Sequence, residues 1–87
     1  MDYTMSAHAW NAANVRGIKR EWIALALALP TLRVDISDEE RHYFTTIKEA
    51  QNRCLKVVAN PRTKRIVTVY FDRNMRKKGC KDDHTVR

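Results

Sequence analysis

Small and apolar residues recur three and four positions apart near the start of the chain. Met5, Ala9, Ala12 and Ala13 form a weak helical stripe, with Trp10 beside it. Thr4 or Ser6 can cap this helix, and Gly17 is a good left-handed stop. Ile18 leads into a second helix over residues 19–29, rich in Ala and Leu. Trp22, Leu25 and Leu29 line one stripe of it, widened by Ile23, Ala26 and Leu27. Pro30 ends it, because a proline cannot continue the hydrogen-bond ladder. The short connection predicts a helical hairpin.

Beyond Pro30 the period changes from helical to alternating. Residues 32–36 read as a short strand, 37–40 as a polar turn and 41–47 as a second strand rich in Tyr, Phe, Thr and Ile. Residues 48–52 form another turn, 53–59 a third strand and 60–64 a hairpin loop. Residues 65–72 are the strongest strand, and 73–87 a basic tail with room for a short helix. The expected fold is a single α+β domain over residues 1–87, an N-terminal helical hairpin (about 4–29) packed on a four-stranded antiparallel sheet (about 32–72).

Alternation assigns the strand faces. In the last strand Val67, Val69 and Phe71 form the apolar set expected to meet the helices, leaving Ile66, Thr68 and Tyr70 on the open face. In the strand before it, Leu55, Val57 and Ala59 point inward, and Cys54, Lys56 and Val58 outward. A lysine, a hydroxyl and a phenol thus share the open face. An ordinary solvated sheet would place the same residues there.

Composition bounds this picture. At 87 residues, with 44% hydrophobic and 31% charged positions, the chain supports one modest core and has no apolar run long enough to span a bilayer. Two Gly and two Pro are too few for a disordered segment. Cys54 and Cys80 are distant in sequence and form no CxxC, so neither a disulfide framework nor a zinc site is expected. With no secretory-signal layout, the expected compartment is the cytoplasm. The net charge of +7 is unevenly placed: residues 53–81 carry ten Lys and Arg against Asp72 alone, while residues 1–52 are nearly neutral. Such a field attracts a polyanion, either nucleic acid or an acidic protein. The plainer reading of residues 73–81 is a solvated tail.

Ala7-His8-Ala9, Arg16-Gly17-Ile18, the helix ending at Pro30, Arg53-Cys54-Leu55-Lys56-Val57-Val58 and Ile66-Val67-Thr68-Val69-Tyr70 together resemble the bacterial family called domain of unknown function 4258. The resemblance runs from about residue 8 to residue 72 and lies in the order and spacing of short motifs. It implies the fold group of toxin-like ribonucleases that includes barnase, EndoU, colicin and RelE (BECR). It also implies metal-independent RNA cleavage, without a cofactor. His8, Arg16, Arg53, Lys56, Thr68 and Tyr70 match the family's pattern, and no acidic residue stands where barnase has its general base.

Such cleavage uses the 2′-OH as nucleophile. It needs a proton acceptor, a proton donor and positive charge on the phosphate. The candidate catalytic residues are His8, Lys56, Thr68 and Tyr70, with His42 as second choice for acid or base. The candidate RNA-binding residues are Arg16, Arg53, Arg73, Arg76, Lys77 and Lys78. Each has a structural alternative: His8 as a helix-surface residue, Arg16 as a positional residue, Arg53 facing the helices, and Tyr70 as a sheet platform. Trp10 and Trp22 read as core. The scattered His and Cys lack ligand spacing, so no metal is expected. The expected function is a small toxin-like ribonuclease acting on cytoplasmic RNA, restrained by a separately encoded antitoxin or immunity protein. The rivals are a non-catalytic nucleic-acid-binding module and a protein-interaction domain.

Overall fold

A computed structural model of the protein describes residues 3–77, 79 and 80. The elements run β1 (Thr4–Met5), α1 (Ala7–Arg16), α2 (Arg20–Ala28), β2 (Leu32–Ser37), β3 (Glu40–Ile47), a 3-10 turn (Lys48–Ala50), β4 (Arg53–Asn60), β5 (Arg65–Phe71) and α3 (Arg73–Lys77). Lys78 and residues 81–87 of the expected basic tail lie outside the described residues.

The first helix starts and stops where its local chemistry dictates. Ser6 is the N-cap, its Oγ accepting the Ala9 N–H at 3.0 Å. At the other end Gly17 adopts φ 66°, and the Ile18 N–H reaches back to the Ala13 carbonyl at 2.9 Å. This is a Schellman stop, which glycine accommodates without a Cβ clash. Ser6→Ala should cost about 1 kcal/mol in urea denaturation, because the Ala9 N–H loses its side-chain acceptor. An unchanged midpoint would show that water replaces the cap.

Thr4 does not act as the cap. Its backbone joins the sheet instead, donating to the Lys64 carbonyl at 2.8 Å, while the Ser6 N–H donates to Ile66 at 3.2 Å. β1 therefore lies parallel to β5, and the sheet has five strands in the order β1-β5-β4-β3-β2. The four-stranded antiparallel expectation is corrected to a mixed sheet, because the two residues before the cap find a free edge on β5. The helical hairpin is not established either. α1 lies over β5 and α2 over β4 and β3, so each helix packs on the sheet.

Ala9, Ala12 and Ala13 let α1 approach β5 closely, and α2 buries Trp22, Ile23 and Ala26. Leu25 and Leu29, expected in the buried stripe, are 41% and 71% exposed. Ile23 flanks the buried face in place of Leu25, and Leu29 leaves the helical path at the C-cap. The main core lies between these helices and the inward side of the sheet, with Leu55, Val57, Ala59, Ile66 and Val69 at its centre.

Register explains one further correction. Val58 pairs with Thr68, but Ala59 pairs with Ile66, so Val67 is an extra residue in β5. A bulge of this kind resets alternation. Ile66 turns into the core, and Val67 turns out, 44% exposed. Val69, Phe71, Thr68 and Tyr70 keep their expected faces.

On the other face a smaller cluster gathers Phe44, Cys54 and Cys80, with Leu32, Val34 and Met75 packed against it. Cys54 and Cys80 form a disulfide, with Cα atoms 5.5 Å apart. The expectation of no disulfide fails because α3 folds back over the sheet, bringing together cysteines 26 residues apart. Among the described residues no helix is long and apolar enough to cross a membrane.

Candidate nucleic-acid interface

The end of the sheet where β4 begins and β5 finishes opens into a groove of about 930 Å³. Arg16, Arg53, Tyr70, Phe71, Asp72, Arg73, Arg76 and Lys77 line it. Five of the six expected RNA-binding residues thus converge from three elements; Lys78 lies outside the described residues.

Each side chain is delivered by local structure. Arg16 is the last residue of α1, brought to the groove by the stop at Gly17. Arg53 opens β4 on the helix-facing side. Its Nε donates to the Ala50 carbonyl at 3.0 Å, and its guanidinium lies 4.0 Å from the Phe71 ring centroid. Phe71 in turn packs against Trp22 at 6.3 Å. Arg53 is therefore held in a fixed pose, with cation–π attraction adding to its hydrogen bond. Arg73, Arg76 and Lys77 come from α3. Asp72 caps that helix, its Oδ1 accepting the Met75 N–H at 3.0 Å, and Arg76 Nη2 donates to the Gln51 carbonyl at 3.0 Å.

Electrostatically the groove is one-sided. Among the described residues the single carboxylate in its lining is Asp72, and it is engaged in capping. Among the described residues none of the five cations is in an ion pair. Crowded, unpaired cations beside low-dielectric walls focus a positive potential that draws in phosphates.

The open sheet face continues from the groove through Tyr70. Lys56 pairs with Tyr70 across β4 and β5, and its Nζ lies 5.3 Å from the Tyr70 ring centroid and 5.7 Å from that of Phe44. Thr68 lies two residues from Tyr70 on the same face. Lys56, Thr68 and Tyr70 are brought together as their alternation implies. His8 is not brought to them. It is exposed on the first turn of α1, in the helix layer, with the sheet between it and the Lys56 face.

His42 sits on that face instead. It pairs with Val58, which pairs with Thr68, so His42 and Thr68 occupy one row across the sheet. The neighbouring row holds Phe44, Lys56 and Tyr70. His42 Nε2 is 2.6 Å from Glu40 Oε2, and its ring stands edge-on to Phe44 at 6.3 Å. A carboxylate in that position orients the imidazole ring. Alternation against the buried Tyr43 was the available signal for this placement. The Glu40 contact was harder to foresee, since residue 40 reads as a turn although it begins β3.

Among the described residues no group of three or more His, Cys, Asp or Glu is placed to hold a metal ion. The fold and the site define a small α+β protein with a cationic groove at one end of its sheet. No family model, no curated protein and no solved structure shows significant similarity to the chain.

Proposed function

We propose that the protein is a small toxin-like ribonuclease that grips RNA phosphates in the cationic groove and cleaves the strand on the adjoining sheet face. The observation that carries the reading is the continuity of the two features through Tyr70. Five cations without ion-pair partners among the described residues run into a face that bears the His42–Glu40 pair, Lys56, Thr68 and Tyr70. The sequence resemblance supports the same direction.

His42, held by Glu40, takes the proton from the 2′-OH. The 2′ oxygen attacks phosphorus, and the 5′ oxygen leaves with a proton from Tyr70. The products are a 2′,3′-cyclic phosphate and a 5′-hydroxyl end. Lys56 supplies the charge that steadies the phosphorane, and Thr68 donates to a phosphate oxygen. Thr68 on β5 and His42 on β3 stand two strand spacings apart across β4, about 10 Å, a span that a phosphodiester can bridge. His8 takes no part in this arrangement. Cytoplasmic RNA is the proposed target, with an antitoxin or immunity protein as the proposed restraint.

The test is incubation of the purified protein with an RNA oligonucleotide and with its 2′-deoxy counterpart, in the presence of a chelator. Cleavage of the RNA alone, with cyclic phosphate ends, is expected. His42→Ala should lower single-turnover cleavage by about a hundredfold or more, while leaving RNA affinity near wild type. His8→Ala should leave both unchanged. RNA bound tightly but left intact would favour the second reading, a non-catalytic binding module. That reading is supported by the groove, whose cations do not depend on the His42 face.

A further inference from the structure

A second cavity, of about 520 Å³, lies away from the groove, where α2 meets the β4–β5 loop. Its apolar wall is Ala24, Leu27 and Ala28 of α2, and its polar wall is Tyr3, Arg41, Tyr43 and Lys64. None of these residues lines the cationic groove.

The polar wall carries one hydroxyl proton more than its described protein neighbours accept. Tyr43 is buried, and its hydroxyl lies 3.1 Å from that of Tyr3 and 3.5 Å from Arg41 Nη1. The guanidinium can only donate, so one Tyr43 lone pair is taken by Arg41. Two phenolic protons then share one phenol–phenol contact. Whichever tyrosine donates in it, the other phenolic O–H has no acceptor among the described residues. Burial, then the hydrogen bond to Tyr43, hold the Tyr3 phenol above its ordinary pKa, so its hydroxyl keeps its proton at neutral pH. Among the described residues the acidic group in contact with the polar wall is Asp35, and it is engaged with Arg41 Nε at 2.6 Å.

Lys64 gives an independent pointer. It ends the β4–β5 loop at φ 62°, a left-handed conformation that glycine or asparagine adopts at lower cost. Its carbonyl accepts the Thr4 N–H, so the backbone there is fixed by β1, which a glycine would serve as well. Strained residues cluster at ligand clamps and switch regions, and the Lys64 side chain lines this cavity. Among the described residues the Lys64 ammonium has no ion-pair partner.

We infer that this cavity binds a small phosphate monoester, its phosphate held by Arg41, Lys64 and the free phenolic O–H and its apolar body lying on Ala24, Leu27 and Ala28. Three donors from three different residues suit three phosphate oxygens better than the flat pair of a carboxylate, and Asp35 already occupies the Nε edge of the arginine fork. The apolar wall leaves space that inorganic phosphate alone would not fill.

The test is an NMR titration of the intact protein with phenyl phosphate, with benzoate and inorganic phosphate as comparison probes. Saturable shifts at the amides of Ala24, Leu27, Ala28 and Tyr43 are expected with phenyl phosphate, and weaker binding with the other two. Replacing both phenols, Tyr3→Phe together with Tyr43→Phe, should weaken binding about tenfold by removing a hydrogen bond to a charged group. Lys64→Gly should weaken it by a similar factor while preserving or raising the thermal midpoint, which separates ligand binding from a structural role. Shifts confined to Arg16, Arg53 and Arg73, absence of saturation, benzoate binding as tightly as phenyl phosphate, or unaltered binding in Lys64→Gly would each overturn the assignment.

Discussion

Reversing two charges on α3, in Arg73→Glu combined with Lys77→Glu, is expected to lower RNA affinity by about a hundredfold at moderate salt. Both residues are exposed and line the groove, and neither side chain makes a hydrogen bond or ion pair within the described residues. The loss would therefore come from the groove field and not from unfolding, and an unchanged circular-dichroism melt would show this. Salt dependence carries further information. If the five groove cations each meet one phosphate of a single strand, log affinity falls against log salt with a slope of about −3.5. With two of them reversed, three remain, and the slope flattens to about −2. Filter-binding or fluorescence anisotropy at several salt concentrations reads both quantities. An affinity and slope equal to wild type would place RNA elsewhere and remove the groove from the proposed function. The same variant also separates binding from chemistry. Cleavage at saturating protein should survive, because His42, Lys56 and Tyr70 are untouched.

Opening the disulfide has the other large expected effect. Cys54 and Cys80 are both buried, and they close a loop 26 residues long in sequence separation. In the chain-entropy account, a cross-link of that span contributes about 3.5 kcal/mol, a large share of what a chain this small can hold. Cys80→Ser should lower unfolding stability by about that amount in urea. Wild-type protein in a thiol reductant should show the same midpoint as the variant. No difference between oxidised and reduced wild type would mean that the cluster of Phe44, Met75 and Val34 holds the segment unaided. The bridge also anchors α3, which at five residues is too short to persist as a helix without tertiary contacts. Three of the five groove cations ride on α3, so reduction should weaken RNA binding as well as stability. Glutathione keeps most cytoplasmic thiols reduced. The groove described here is therefore the oxidised form of the site, and the reductant titration measures how much of it survives in a reducing compartment.

Much of the fold was legible in local chemistry. Ser6 and Gly17 mark the ends of α1 because capping is decided by residues within one turn. The strands from residue 32 onward follow from alternation and β-branched or aromatic content. The basic residues of the groove were legible as a charge bias, and five of them do meet. The exchange of His8 for His42 on the Lys56 face was less visible. A resemblance of motif singles out residues and says nothing of which layer each one occupies. That His8 and Lys56 lie on opposite sides of a sheet follows only once α1 is known to pack on the face bearing Leu55, Val57 and Val69.

What the sequence by itself determined is what depends on near neighbours: helix ends, strand periods, the inward set of β4, and the accumulation of positive charge after residue 52. Contacts between distant segments were decided by the tertiary structure. β1 exists because Thr4 and Met5 find the free edge of β5 some sixty residues later. Val67 faces outward because β4 and β5 pair with one residue to spare, which neither strand's pattern records alone. Cys80 reaches Cys54 because α3 turns back across the sheet, and the same turn carries Arg73, Arg76 and Lys77 to Arg16 and Arg53. Local propensity acts over a few residues, whereas burial and backbone pairing select among long-range arrangements that a linear pattern leaves equally open.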